Sequence, residues 1–335
     1  MRNQERFMAN YLVTGVAGFI AARVADTLLD AGHTVVGLDN LNDAYDVRIK
    51  HWRLNRLLDR VGFTFHHLDI GNRDAILDQQ SALNNQQFAA VINLAARAGV
   101  RQSVENPWVY YDTNVTGTLN LLELCRRNSI PKFLIASTSS IYGENAPLPT
   151  PETYDSSHPL QPYAASKKAA EVLAYSYHSL YSIDVSVVRY FTVYGPAGRP
   201  DLAMFRFVQW ISEGRPVRVN GDGLQSRGFT YIDDIARGTI LALQPVGYEI
   251  INLGGHETIT INDLISLTEE LVGKKAQVMR GPANPADMRA NHADVSKAGA
   301  LLGWEPQFGL REGMKRLVDW YNQERQWAKD IATNT

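Results

Sequence analysis

The chain has 335 residues, 45% of them hydrophobic, enough to bury a large core and to form two lobes. Its 33 Lys and Arg against 35 Asp and Glu leave a formal charge of −2, so nothing electrostatic points to nucleic acid or an acidic membrane as the main partner. The single cysteine, Cys125, excludes an intrachain disulfide and a thiolate metal cage, and no apolar run reaches the roughly 20 residues of a membrane span.

"MRNQERFMANYLVTG" lacks the apolar stretch of a secretory signal, so a soluble cytoplasmic protein is expected, with no metal. Met8 offers an alternative start, leaving Met1–Phe7 as an extension. "ANYLVTG" reads as a strand, and "FIAARVADTLLDAG" has helical spacing up to a glycine stop. "HTVVGLDN" is a second strand; "RVGFTFHHLDI" and "FAAVINLAA" are a third and fourth, with a helix over "GNRDAILDQQSA" between them. One long helix is predicted over "PWVYYDTNVTGTLNLLELCRRNSI", with Cys125 a buried, inert thiol. Strand five over "KFLIASTSS", a helix over "ASKKAAEVLAYSYHSLYS" and strand six over "DVSVVRYFTVYG" complete the series. Such alternation, rich in Val, Ile and Leu, predicts an α/β fold: a doubly wound parallel sheet with helices on both faces. After Gly195 the chain turns polar and rich in turns. The expected division is a dinucleotide-binding domain over 1–195 and a smaller, mainly substrate-binding α/β lobe over 196–335, with "YEIINLGG" able to return to the main sheet.

"VTGVAGFIA" puts Gly15 and Gly18 at the first strand-to-helix turn, where backbone N–H groups can approach a pyrophosphate and the helix opened by Phe19 and Ile20 favours it. Ala21 takes the place of the usual third glycine. Asp39, followed by Asn40, ends the second strand roughly 20 residues on, placed to accept from ribose hydroxyls; a carboxylate there repels a 2′-phosphate and favours NAD over NADP. Asp69-Ile70 and Leu94-Ala95-Ala96 follow strands three and four, at the strand ends where open α/β sheets bind ligands. Asp69 reads either as an adenine contact or as a helix N-cap.

In "QPYAASKKAAEVLAYSYH", Tyr163 and Lys167 lie one turn apart on one helix face. With GxxGxxA, Asp39, "NVTGT", "STSSIYG" and "YAASK" in this order, nearly the whole chain resembles the extended short-chain dehydrogenase/reductase family, the Rossmann-fold nucleotide-sugar epimerases and dehydratases. The resemblance implies that Tyr163 is the catalytic base, that Lys167 holds the nicotinamide ribose, that Thr138 shares the proton path, and that Asn114 joins the cofactor set. It also implies Arg227 and Arg289 on the diphosphate of a UDP-sugar, and a homodimer built on the helix after Pro107 and the helix of Tyr163. A free phenol titrates at about 10; an adjacent ammonium and a positive nicotinamide are expected to pull it toward neutral.

Family dehydratases carry Asp-Glu after the Thr138 position, and decarboxylases a Glu two residues on; here these are Ser139 and Ser140, which cannot do carboxylate acid–base work. Fucose-synthase-type enzymes want a Cys and a His near this site, and Cys125 is elsewhere. C4 epimerisation remains. "RYFTVYGPAGRPDLAMF", "DNLNDAYDVRIK" and "RAGVRQSVENP" are similar to UDP-glucuronate 4-epimerase segments, and Thr192 stands where galactose epimerases carry Asn. By that resemblance Ser139, Ser140, Thr192 and Arg199 hold a C6 carboxylate, which a fork-shaped cation suits. Two departures stand out: Arg227-Gly228 where relatives often have Arg-Asp, and "VNGDG", nearer the general epimerase pattern. The alternatives are a UDP-glucose or UDP-N-acetylglucosamine 4-epimerase, a UDP-glucuronate decarboxylase, and a non-catalytic nucleotide sensor on the same fold.

Overall fold

The computed structural model describes residues 8–78, 87–282 and 290–333. Its strands are β1 (Asn10–Thr14), β2 (Thr34–Asp39), β3 (Phe63–His67), β4 (Ala90–Asn93), β5 (Lys132–Thr138), β6 (Asp184–Tyr190), β7 (Thr192–Tyr194), β8 (Val217–Asn220), β9 (Ser226–Tyr231), β10 (Tyr248–Leu253), β11 (Glu257–Thr260) and β12 (Val278–Gly281). Seven pair in the order β10-β6-β5-β4-β1-β2-β3, every neighbour parallel. Successive strand residues face opposite ways, so Val13, Val35, Ile92, Leu134 and Val188 bury into one core while Leu12, Val36, Val91, Phe133 and Val187 bury into another. Helices α1 (Phe19–Asp30) and α2 (Val47–Leu58) close the first face, with α6 (Gly117–Arg127) and α7 (Pro162–Tyr181) on the second. This is the doubly wound sheet expected. Strand order reverses between β1 and β4, which opens a crevice at their carboxyl ends.

Between α2 and α6 lie α3 (Arg73–Asp78), α4 (Val100–Glu105) and α5 (Trp108–Tyr111). The helix expected over "GNRDAILDQQSA" is described as α3; its remainder lies outside the described residues. Beyond α7 the chain forms α8 (Ala203–Ser212), α9 (Ile232–Leu241), α10 (Ile261–Val272), α11 (Ser296–Leu302) and α12 (Leu310–Ala328). Strands β11, β9 and β7 form a second sheet, β12 and β8 a third. No described helix is long and apolar enough to cross a membrane.

Three expectations need correction. Helix α2 was not anticipated, because its buried side includes Lys50 and Arg53 beside Ile49, Leu54 and Leu57, which breaks the apolar stripe. The long helix after Pro107 is α-helical only at its ends; Asp112–Thr116 is a π-helical turn that carries Asn114. Strand six stops at Tyr190. Buried Phe191 packs on Gly255, and the chain then leaves the main sheet, so Thr192 pairs beside Phe229 of β9 instead. β10 does return, to the edge beside β6.

Candidate active site

At the cofactor end, Gly15 has φ +69°, and a Cβ there would lie 2.7 Å from Ala95 Cα. A side chain is therefore excluded both by conformation and by the approach of the first turn to β4's end. Gly18 caps α1 with no side-chain hydrogen bond, which leaves the first-turn N–H groups of Phe19 and Ile20 uncapped by side chains. The turn and helix end thus fit a pyrophosphate. Asp39 is buried, not a solvated strand end: its carboxylate accepts from Ala17 N at 3.0 Å and Leu41 N at 2.8 Å. It braces the turn while keeping lone pairs for a ribose. Asn40 Nδ2 donates to Asp69 Oδ2 at 2.7 Å, bringing both predicted residues together at one strand edge. Asp69 is not a helix cap; its Oδ1 accepts from Gly71 N, while Asn72 caps α3 through Ala75 N. Ile70 is buried, and Leu94, Ala95 and Ala96 line the end of β4.

Asn114 is spent on the protein. Its Oδ1 accepts from Arg97 N at 2.9 Å and its Nδ2 donates to Arg97 O and Ser166 Oγ. With both amide hydrogens taken, it positions the loop after β4 and, through Ser166, the start of α7.

At the reacting end, Pro162 starts α7 and Tyr163 follows, half-buried, with Tyr110 edge-on at 6.1 Å between ring centres. Burial pushes the Tyr163 phenol above its ordinary pKa; a hydrogen bond with Thr138 and the guanidinium of Arg199 act the other way. The guanidinium of Arg199 therefore joins Lys167 among the cations at the phenol's end of the site. Lys167 is buried, and burial pushes its ammonium down to about 8 against the opposing pull of Glu171. Thr138 ends β5, where its Oγ1 accepts from Ser140 N and donates to Ser140 Oγ, both at 3.2 Å. Ser139 Oγ accepts from Asn291 Nδ2 at 3.3 Å. Three hydroxyls therefore line one tight turn beside the phenol.

The remaining predicted residues divide. Arg199 is engaged by Asp201, Nε to Oδ1 at 3.0 Å and Nη2 to Oδ2 at 2.6 Å. One edge of its fork is taken, leaving Nη1 as the donor available to a ligand. Thr192 heads β7, half-buried. Arg227 lies in β9, with Nη1 donating to Ser226 O at 2.8 Å. The unusual Gly228 has a reason: a Cβ there would sit 2.3 Å from Gly255 O, so the Asp of relatives would not fit this backbone. Arg289 lies outside the described residues.

A family model for the NAD dependent epimerase/dehydratase family matches residues 11–254. The chain belongs to that family. It is an NAD-dependent enzyme of the epimerase type. It is 54% identical to the UDP-glucuronate 4-epimerase of Thermodesulfobacterium geofontis over 97% of this chain and 99% of that one. Among solved structures it resembles the Bacillus cereus UDP-glucuronic acid 4-epimerase in complex with UDP-glucuronic acid and NAD (TM-score 0.86, 36% identity, 94% of this chain and 99% of that one). It equally resembles the Thermotoga maritima UDP-glucose 4-epimerase with UDP-glucose (TM-score 0.86, 33% identity, the same coverages).

Two features of this epimerase escaped sequence reasoning. Behind Thr138 and Lys167 is a buried ion pair: Arg189 donates to both oxygens of Glu171, at 2.9 and 2.8 Å, and each side chain is 1% exposed. Ser137 Oγ donates to the same carboxylate at 2.6 Å, and Arg189 Nη1 to Tyr142 OH at 3.0 Å, so the pair braces both ends of the Thr138–Ser140 turn. The second feature is Arg53, buried below the loop that carries Arg199. An ion pair across elements leaves no periodic signal. Only Glu171, at i+4 from Lys167, could have been picked out.

Proposed function

We propose that this protein interconverts UDP-glucuronate and UDP-galacturonate by inverting C4. The observation that carries this is the turn Thr138–Ser140: Thr138 hydrogen-bonds the Tyr163 phenol, and the two turn positions after it carry hydroxyls where dehydratases and decarboxylases carry carboxylates. Identity of 54% to a UDP-glucuronate 4-epimerase supports the choice of sugar.

When bound in the Gly15–Gly18 turn and along Asp39, NAD supplies the acceptor and later the donor of the C4 hydride, and a positive charge beside the phenol. Tyr163, as phenolate, takes the O4 proton through or beside Thr138, leaving a 4-keto sugar, and returns it once the sugar has presented its other face. Lys167 holds the cofactor's ribose, and Arg227 with Arg289 holds the diphosphate about which the sugar turns. Ser139, Ser140, Thr192 and Nη1 of Arg199 hold the C6 carboxylate. Fixing it keeps the C5–C6 bond out of line with the carbonyl π system, so the β-keto acid keeps its CO₂; Asp201 limits how strongly Arg199 pulls on the carboxylate. Residues 196 onward supply most of the sugar-binding lobe.

The protein works as a cytoplasmic homodimer on this reading, packing α5, α6 and α7 against a second copy. Trp108, Tyr111, Leu119, Val172, Tyr175 and Leu180 leave apolar side chains exposed on these helices. Purified protein given UDP-glucuronate without added NAD should yield UDP-galacturonate and little UDP-pentose. Absence of the 4-epimer sinks the proposal, and abundant pentose makes the protein a decarboxylase. The equal structural likeness to a UDP-glucose 4-epimerase keeps a neutral sugar as the second reading. Arg199→Ala separates the two: any effect through the Tyr163 phenol falls on both sugars alike, whereas KM rises selectively for the uronate if the guanidinium holds a carboxylate.

A further inference from the structure

Buried arginines ordinarily have a carboxylate partner. Arg53, 4% exposed on α2, makes no ion pair among the described residues. Neutral oxygens of three segments surround it instead. Its Nε and Nη2 donate to Ala197 O at 2.9 and 2.5 Å, and Nη2 also donates to Gly198 O at 3.2 Å. Nη1 donates to Ala17 O at 3.1 Å and to Tyr45 OH at 2.9 Å. The guanidinium also lies 5.6 Å from the Phe19 ring centre and 5.7 Å from that of Tyr45.

Each segment belongs to a different part of the site. Ala17 is in the cofactor turn between Gly15 and Gly18. Tyr45 is in the loop that begins at Asp39 and Asn40. Ala197 and Gly198 lead directly into Arg199. Ala197 has φ +51°, a left-handed conformation disfavoured for a residue with a Cβ, and its carbonyl is the one that two arms of the fork grip. Without that grip the turn can relax toward an ordinary φ, which swings the chain two residues before Arg199. Arg199 in turn interacts electrostatically with both Tyr45 and Tyr163, which puts its guanidinium between the Arg53 cluster and the reacting end.

We propose that Arg53 is a positioning residue that sets Arg199 against the cofactor turn, so that the substrate's carboxylate is read in register with bound NAD. This rests on the role given to Arg199 under the proposed function. A planar fork is needed because three carbonyls and a phenol must be reached from one buried point; a lysine's single ammonium cannot span them.

The test is a double-mutant cycle on the holoenzyme: Arg53→Met and Arg53→Lys, each alone and combined with Arg199→Ala. Thermal midpoint, NAD content, kcat and KM are measured with UDP-glucuronate and with UDP-glucose. If Arg53 acts through Arg199, Arg53→Met raises KM for UDP-glucuronate on the order of tenfold with kcat little changed. KM for UDP-glucose should then move less than about twofold, and adding Arg53→Met to Arg199→Ala should cost almost nothing more. Arg53→Lys should lie between, and it carries the same test if the Met variant does not fold. Equal losses for both sugars, or additive losses in the double variant, overturn the proposal and leave Arg53 a general brace. Failure of the wild type on UDP-glucuronate refutes the functional reading and, with no carboxylate to read, this proposal with it, whereas equal or additive losses in a wild type that turns over UDP-glucuronate refute the Arg53 proposal alone.

Discussion

Removing Arg189 should leave the Glu171 carboxylate buried with too few partners. Both side chains are 1% exposed, and Arg189 supplies two of the carboxylate's close contacts; what remains is Ser137 Oγ at 2.6 Å and Lys168 Nζ at 3.5 Å. Breaking one side of such a pair costs about 3–5 kcal/mol, whereas replacing both sides with apolar groups is often near neutral. Unfolding entropy of roughly 2.1 cal/mol/K per residue converts this, over the whole chain, to a fall in Tm of about 4–7 °C for Arg189→Met. Arg189→Met/Glu171→Leu should recover most of it. The pH dependence has a definite sign. In the wild type Glu171 is held below its usual pKa by Arg189, outweighing the effect of burial, so its contribution is present above the unfolded pKa and lost as pH falls through the folded one. In Arg189→Met the orphaned carboxylate rises above its unfolded pKa and is tolerated once protonated, so the deficit should shrink on acidification. Calorimetry of wild type, single and double variants at pH 5 and pH 8 reads both effects. A single variant within about 1 kcal/mol of wild type, or a double variant no better than the single, would refute the reasoning.

Tyr163→Phe should lower kcat by about 10²–10⁴-fold, the usual worth of a positioned base, with NAD content unchanged. Retained turnover would move the proton to another group. Lys167, pushed down to about 8 by burial, loses its proton above that pH, so kcat/KM should fall on the alkaline side, and Lys167→Arg, which does not titrate there, should flatten the profile whatever its absolute rate. Stability responds oppositely: the cost of burying the ammonium is present below pH about 8 and is relieved as pH rises toward the unfolded value of about 10.4. Trp108→Glu with Leu180→Glu should convert a dimer to monomer in light scattering, with an unchanged dimer refuting the interface.

The sheet and its strand ends were legible because burial on both faces forces near-continuous Val, Ile and Leu runs, and because a turn that must approach a phosphate tolerates only glycine at Gly15. Tyr163 and Lys167 were legible too, since helical spacing alone puts them on one face. The polar scaffold was not. Helix α2 was hidden by the same cations, Lys50 and Arg53, that make it useful, because a charged side chain in the core breaks the apolar period. The break at Phe191, the π turn at Asn114 and the capture of Arg199 by Asp201 are decided by partners elsewhere in the fold or by local backbone geometry, none of which a periodicity records. Local sequence therefore determined the fold, the cofactor turn and the placing of Tyr163 and Lys167 on one helix face, since each needs only a residue type at a fixed spacing. Tertiary structure alone decided the partners of Arg53 and Arg189, because a buried charge takes its partners from whichever segments the packing brings to it.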